Sequence, residues 1–168
     1  KQGVFQSDDS GATWRTVLST PIAGYYMGDV SVSAKGTLYS SFLKPSGPAE
    51  VNIWVDDGNT LNGVYRLEAG VWTNISPNTN MNFDGMSAMT FAGQDHLLIT
   101  PWFTANKYRD AFSSEDGGRT WAAIYMDDGD LDPKEGWYTE EFVAFGHGAA
   151  IDPFNANRAW GLGGLGVW

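Results

Sequence analysis

Short apolar runs alternate with polar positions along the whole chain, cut by turns bearing Gly, Asn, Asp or Pro. Runs of this length, rich in β-branched and aromatic residues, predict strands and not helices. One kind of hairpin joins Gly3-Val4-Phe5-Gln6 to Trp14-Arg15-Thr16-Val17. It recurs as Gly63-Val64-Tyr65-Arg66 with Trp72-Thr73-Asn74-Ile75, and as Asp110-Ala111-Phe112-Ser113 with Trp121-Ala122-Ala123-Ile124. The second strand always opens on Trp and places a β-branched apolar residue three positions later. A second kind of hairpin lies between these. Residues 29–33 lead through Lys35-Gly36 to 37–42, residues 86–91 through Gly93-Gln94 to 96–100, and residues 148–151 through Asp152-Pro153-Phe154-Asn155 to 158–162. The small apolar residues of its first strand suit a crowded inner position.

Two of the turns read almost alike. Residues 7–14 and 114–121 both fit Ser-x-Asp-x-Gly-x-Thr-Trp. Asp9 and Asp116 are suited to accept hydrogen bonds from their own turn, while Gly11 and Gly118 tolerate positive φ. The following Trp is expected to pack its indole beneath the turn. The pattern resembles the Asp box, the hairpin signature of sialidase-type and related β-propellers, where it is a folding element and not a substrate site. The middle hairpin carries the shorter turn Glu68-Ala69-Gly70 instead.

Inner and outer hairpins together make a unit of four antiparallel strands in about 50–60 residues, the size of a propeller blade. The expected fold is therefore all-β. Residues 1–20 form an outer half-blade, 26–77 and 84–126 two whole blades, and 145–168 an inner half-blade, with Gly166-Val167-Trp168 repeating the start of Gly3-Val4-Phe5. Rings close with roughly 4–8 blades. About three blades leave faces and strand edges uncovered, so the rest of the ring is expected to lie outside this sequence, and residues 1–168 alone are expected to fold poorly.

Composition narrows the function. Twenty acidic against ten basic residues give a net charge of −10, which argues against a phosphate-backbone binder. There is no cysteine, hence neither a disulfide framework nor a thiolate metal site. No apolar run approaches the roughly 18 residues of a membrane helix. Neither nucleic acid nor a membrane is expected as a partner.

A longer stretch carries a further resemblance. Residues 141–163 contain Ile151-Asp152-Pro153-Phe154-Asn155 with Arg158, followed by a Gly161-Leu162-Gly163 strand. This resembles glycoside hydrolase family 74, the xyloglucanases and related endoglucanases. Ser33-Ala34-Lys35-Gly36-Thr37-Leu38-Tyr39, the hairpin from Gly63 to Pro77, and the aromatic segment Thr100-Pro101-Trp102-Phe103 fall in that family's order. The resemblance implies two tandem seven-bladed propellers with a β-1,4-glucan cleft between them. It also implies inverting hydrolysis by two Asp residues, one from each propeller, with carboxyls roughly 6.5–9.5 Å apart. Those acids belong to a D-I-G-G-type context that this chain lacks, so no catalytic residue is expected here. The segments 104–110 and 127–138, and Asn74 where the family often has Asp, depart from its pattern. A secreted protein acting on xyloglucan or a related β-glucan is implied, with the remaining blades and a second propeller as structural partners.

Exposed aromatic rings stack on the C–H faces of sugars. Tyr25, Tyr26, Trp102, Phe103 and Trp137 fall between expected strands and are the candidate substrate-binding residues. His147, between Gly146 and Gly148 at the start of an inner strand, joins them. His96 lies within a strand and reads as structural. Asp56-Asp57 and Asp127-Asp128 lack EF-hand spacing and read as solvated turns. Glu140-Glu141, after Trp137-Tyr138, suits a cleft loop. Two histidines without cysteine make no zinc set, and no metal or cofactor is expected. The competing reading is a non-catalytic Asp-box propeller that binds glycans or proteins. A sialidase-like enzyme ranks last, because Arg15, Arg66, Arg109, Arg119 and Arg158 are scattered and not clustered.

Overall fold

The computed structural model describes residues 3–19, 28–42, 63–77, 83–101, 109–126, 146–163 and 166–167. They form four separate antiparallel meanders and, among the described residues, no helix. The first sheet pairs β1 (Gly3–Gln6) with β2 (Arg15–Ser19). The second runs in order through β3 (Val30–Val32), β4 (Leu38–Phe42), β5 (Gly63–Glu68) and β6 (Val71–Asn74). The third runs through β7 (Phe83–Phe91), β8 (Gln94–Pro101), β9 (Arg109–Ser114) and β10 (Ala122–Met126). The fourth holds β11 (Gly146–Ile151), β12 (Ala159–Gly163) and β13 (Gly166–Val167).

Turn chemistry sets the registers. Ala69-Gly70 and Ala92-Gly93 both have two successive positive φ angles, 50° and 80° in the first turn and 47° and 78° in the second. That is the primed two-residue turn whose twist matches that of the flanking strands. It pairs Glu68 with Val71 and Phe91 with Gln94.

The core lies between consecutive sheets. β8 shows why, with Leu97, Leu98 and Ile99 in a continuous apolar run instead of an alternating one. Leu97 and Ile99 join Tyr39, Val64, Ile75, Phe83, Met86 and Ala88 in a cluster between the second and third sheets. Leu98 points the other way and meets Ala111 and Ile151 between the third and fourth. A sheet covered on both faces needs apolar residues on both. Phe83 and Phe112 meet edge to face at 5.6 Å in the first of these layers.

The innermost strands β3, β7 and β11 run side by side in the same direction, and side chains of one sheet cap the open edge of the next. Met86 N–H donates to Asp29 Oδ2 (3.1 Å), Ala88 N–H to Ser31 Oγ (2.9 Å) and Ile151 N–H to Ser87 Oγ (3.0 Å). An edge N–H satisfied by a side chain cannot template a foreign strand.

Candidate functional site

Each sheet alternates its connections between two ends of the molecule. The short turns of residues 7–14, 33–37, 69–70, 92–93, 114–121 and 152–158 gather at one. The strand ends bordering 20–27, 43–62, 78–82, 102–108 and 127–145 gather at the other.

The short-turn end is rich in carboxylates, and its buried ones are committed to structure. In the second Ser-x-Asp-x-Gly-x-Thr-Trp turn, Asp116 Oδ1 accepts from Ser114 Oγ (2.8 Å) and from Thr120 N–H (2.9 Å), and Oδ2 from Thr120 Oγ1 (2.7 Å). Desolvation would raise this carboxyl. The N–H and hydroxyl of Thr120, with Ser114 and the Arg119 N–H, outweigh it and bring it down to about 2. Asp9 is brought to about 2 by the equivalent bonds, those from Thr13 first.

Asp95 is the hub of this end. It is buried, and Oδ2 accepts from Ser33 Oγ and Tyr39 Oη, both at 2.9 Å, while Oδ1 accepts from Thr90 Oγ1 at 2.8 Å. Burial pushes this carboxyl up. The three hydroxyls, Thr90 foremost, and the Lys35 charge pull it further down, so it stays below its ordinary value. Tyr39 is pushed up, by burial first and then by its bond to Asp95. The Asp95 carbonyl takes the Gly117 N–H at 2.8 Å, and Arg66 bridges the Gly117 carbonyl and Glu68, each at 3.0 Å. A small depression of about 40 Å³ lies beside it, bordered by Lys35, Arg66, Glu68, Asp116 and Arg119. Asp95 is thus an anionic lock joining the second sheet to a turn of the third.

Asp152 does the same in the fourth sheet. The Phe154 N–H foremost, and Arg158 through an ion pair, hold its carboxyl below its ordinary value against burial. His96 is half-buried and meets the Phe91 ring edge to face at 5.1 Å, in the structural role expected for it. Among the described residues no three metal-ligating side chains converge.

Tyr25, Tyr26, Trp102, Phe103 and Trp137 lie outside the described residues, as do Asp56, Asp57, Asp127, Asp128, Glu140 and Glu141. His147 lies in β11, where the register slips between Gly146 and Gly148. It is therefore the extra residue of a β-bulge. Sequence reading missed an equivalent in β7: the register slips between Phe83 and Gly85, which makes Asp84 the extra residue there. The only local signal was a Gly following each. It also missed Asp29, whose backbone and carboxylate tie β3 to β4 and to β7.

No family model matches the chain. Over 176 residues it is 29% identical to a xyloglucanase of Paenibacillus sp., covering 98% of this chain and 16% of that protein. Over 193 residues it is 25% identical to a xyloglucanase of Acetivibrio thermocellus, covering 94% of this chain and 21% of that protein. The crystal structure of the glycoside hydrolase family 74 xyloglucanase from Xanthomonas campestris matches with a TM-score of 0.69 at 22% identity, over 98% of this chain and 23% of that one. The fold is that of a partial β-propeller. The chain spans about a fifth or less of the length of the curated relatives it matches, and its resemblance to the xyloglucanases of family 74 covers nearly its whole length.

Proposed function

We propose that this chain is a segment of the first propeller of a secreted family-74-type glycoside hydrolase. The parent protein would cleave β-1,4-glucan backbones, xyloglucan foremost, by inverting acid/base hydrolysis. The observation that carries this reading is the near full-length similarity to xyloglucanases. Within the reading, this segment supplies sugar-binding surface through Trp102, Phe103, Tyr25, Tyr26, Trp137 and His147. The hydrolytic Asp pair comes from elsewhere. The commitment of Asp29, Asp95, Asp116 and Asp152 to structural bonds supports that division of labour.

The same commitment favours a second reading, a propeller that binds glycans without cleaving them. The parent protein incubated with xyloglucan separates the two. Release of reducing ends with inverted anomeric configuration supports hydrolysis. Retention of the polysaccharide without release replaces the first reading by the second. Trp102→Ala in the parent is expected to weaken kcat/KM several-fold while the thermal midpoint holds, by loss of a stacking ring. Unchanged kinetics remove Trp102 from the site.

A further inference from the structure

We propose that the two flanks of this arc of sheets fit each other, so that two copies of the 168-residue chain close head to tail into a ring of six sheets. This goes beyond the hydrolase reading and does not rest on it. The repeat fixes which positions correspond. Ser31 and Ser87 each cap an N–H of the next sheet, that of Ala88 and that of Ile151. Their counterpart in β11 is Ala150, and the counterpart of Ala88 and Ile151 in β3 is Val32. Across the inner hairpins, Tyr39, Leu98 and Trp160 stand opposite Ser31, Ser87 and Ala150. Tyr39 is buried in one cluster with Met86 and Ala88, and Leu98 in another with Ile151, against which Ala149 packs. Trp160, in the same place on the fourth sheet, is 40% exposed. Val30 and Val32, which correspond to Met86 and Ala88, are 51% and 59% exposed. One flank thus presents the ring and the other its seat.

The outer strands are complementary in the same sense. Among the described residues β1 pairs only with β2, although its counterpart β5 lies between β4 and β6. β12 is open to such a strand. Among the described residues, β13 covers only its Leu162 and Gly163, with Gly166 opposite Gly163 as Gly63 stands opposite Phe42. Gly3-Val4 opens β1 as Gly63-Val64 opens β5 and Gly166-Val167 forms β13. β1 of a second copy can therefore take the place of β13 and complete the fourth sheet in the order β11, β12, β1, β2. Its Trp14 then stands one sheet on from Ile124, the third residue after Trp121. It finds there the carbonyl that Trp72 and Trp121 find at Val17 and Ile75. Ile124 is exposed, and among the described residues no indole donates to it. Trp160 meets Val30 and Val32 of the second copy at the same seam. Six sheets fall within the usual ring size of roughly 4–8, and closure stops the open growth to which a head-to-tail contact otherwise leads. Pairing β1 with β12 also covers two strand edges that would otherwise template foreign chains. The seam has one defect: Ala150 cannot give the Val32 N–H the hydroxyl cap that Ser31 and Ser87 give.

Sedimentation equilibrium of the 168-residue chain is expected to show a dimer and nothing larger. Trp160→Asp is expected to weaken the dimer at least about a hundredfold, as loss of a central aromatic anchor does. Ala150→Ser is expected to tighten it about fivefold by supplying the missing cap. The chain has no cysteine, so introduced ones report the seam directly. Ala150→Cys and Val32→Cys, prepared separately, are expected to form a disulfide only when mixed. At the corresponding seams Ser31 Oγ lies 2.9 Å from Ala88 N and Ser87 Oγ 3.0 Å from Ile151 N, close enough for such a bridge. Circular dichroism checks that each variant keeps its strands. Where Trp160→Asp loses them, the cross-link and Ala150→Ser decide. A monomer, an aggregate, an open series of larger species, or a dimer that forms no mixed disulfide overturns the ring. A dimer indifferent to a folded Trp160→Asp overturns it as well.

Discussion

The two acidic turns have one sequence pattern and one internal geometry, yet different places in the molecule. Asp9 Oδ1 takes the Ser7 hydroxyl and the Thr13 N–H, both at 2.8 Å, and Asp116 Oδ1 repeats this with Ser114 and Thr120 at 2.8 and 2.9 Å. Beyond those bonds they diverge. Residues 114–121 are seated on the second sheet: Gly117 bonds Asp95, Gly118 presses on Ile75, and the Trp121 indole donates to the Ile75 carbonyl at 2.7 Å. Residues 8–14 are exposed, and Trp14, 64% exposed, turns its indole back onto its own Gly11 carbonyl at 3.0 Å. The middle hairpin completes the comparison. It has no acidic turn, yet Trp72 donates to the Val17 carbonyl at 3.1 Å. Val17 and Ile75 each stand three residues after the Trp of the preceding hairpin. The repeated unit of assembly is therefore the stitch from a Trp to that third residue one sheet back. The acidic turn folds itself and is separable from the stitch.

The sharpest way to break this contrast is to remove the indoles. Trp121→Ala is expected to cost about 3–4 kcal/mol by loss of a packed ring. Trp14→Ala is expected to cost under about 1 kcal/mol, as at an exposed site. Urea unfolding of the parent protein reads both. Equal losses would mean that in the parent Trp14 is covered by a further sheet offering it a carbonyl.

Glycine substitutions come next. Gly118 has φ +84° and a Cβ there would meet Ile75 Cδ1 at 2.4 Å, whereas Gly11 has φ +91° and meets nothing nearer than Trp14 at 3.7 Å. Gly11→Ala therefore pays only backbone strain, about 1–2 kcal/mol. Gly118→Ala adds overpacking, for about 3 kcal/mol in all. Similar midpoints for the two variants would show that the second turn can lift off its seat.

Much of this architecture was legible in the chain. The Trp repeat, the turn glycines and the apolar run at Leu97–Ile99 each follow from local pattern, because strand period and turn φ are local properties. What was not legible crosses between sheets. Asp95 reads as one acid in a hairpin until Ser33 and Tyr39, some 60 positions away, are folded against it. Asp29 and Ser31 likewise look like ordinary strand residues until β7 supplies the N–H groups that they accept. The bulges at Asp84 and His147 change one residue of register, which leaves only a following glycine as a mark. The aromatic candidates rest on residue type alone, since Tyr25, Tyr26, Trp102, Phe103 and Trp137 lie outside the described residues.

A smaller effect follows from removing the turn carboxylates. Asp116→Ala is expected to cost about 1–2 kcal/mol, comparable to the loss of a capping side chain. Asp9→Ala is expected to cost less, because water replaces its bonds at an exposed turn. Guanidinium titrations of the two variants read the difference, and a larger loss at Asp9 would reverse the ranking of the two turns.

The smallest effect is on pH, and here the contrast should vanish. Asp9 and Asp116 are both held near 2 by the bonds inside their own turns, against roughly 3.9 for an unfolded aspartate. A carboxyl with a lowered folded value releases its proton more readily in the folded state. Its stabilisation is complete above about pH 4 and is lost as the pH falls towards 2. Asp95, also lowered, acts in the same direction. Stability is thus expected to fall on acidification across that window. Asp9→Asn and Asp116→Asn should each flatten the decline by similar steps, although only the second turn is seated on a neighbouring sheet. Thermal midpoints between pH 5 and pH 2 read this. A step confined to Asp116→Asn would mean that the seat, and not the turn's own hydrogen bonds, sets the acidity of these carboxylates.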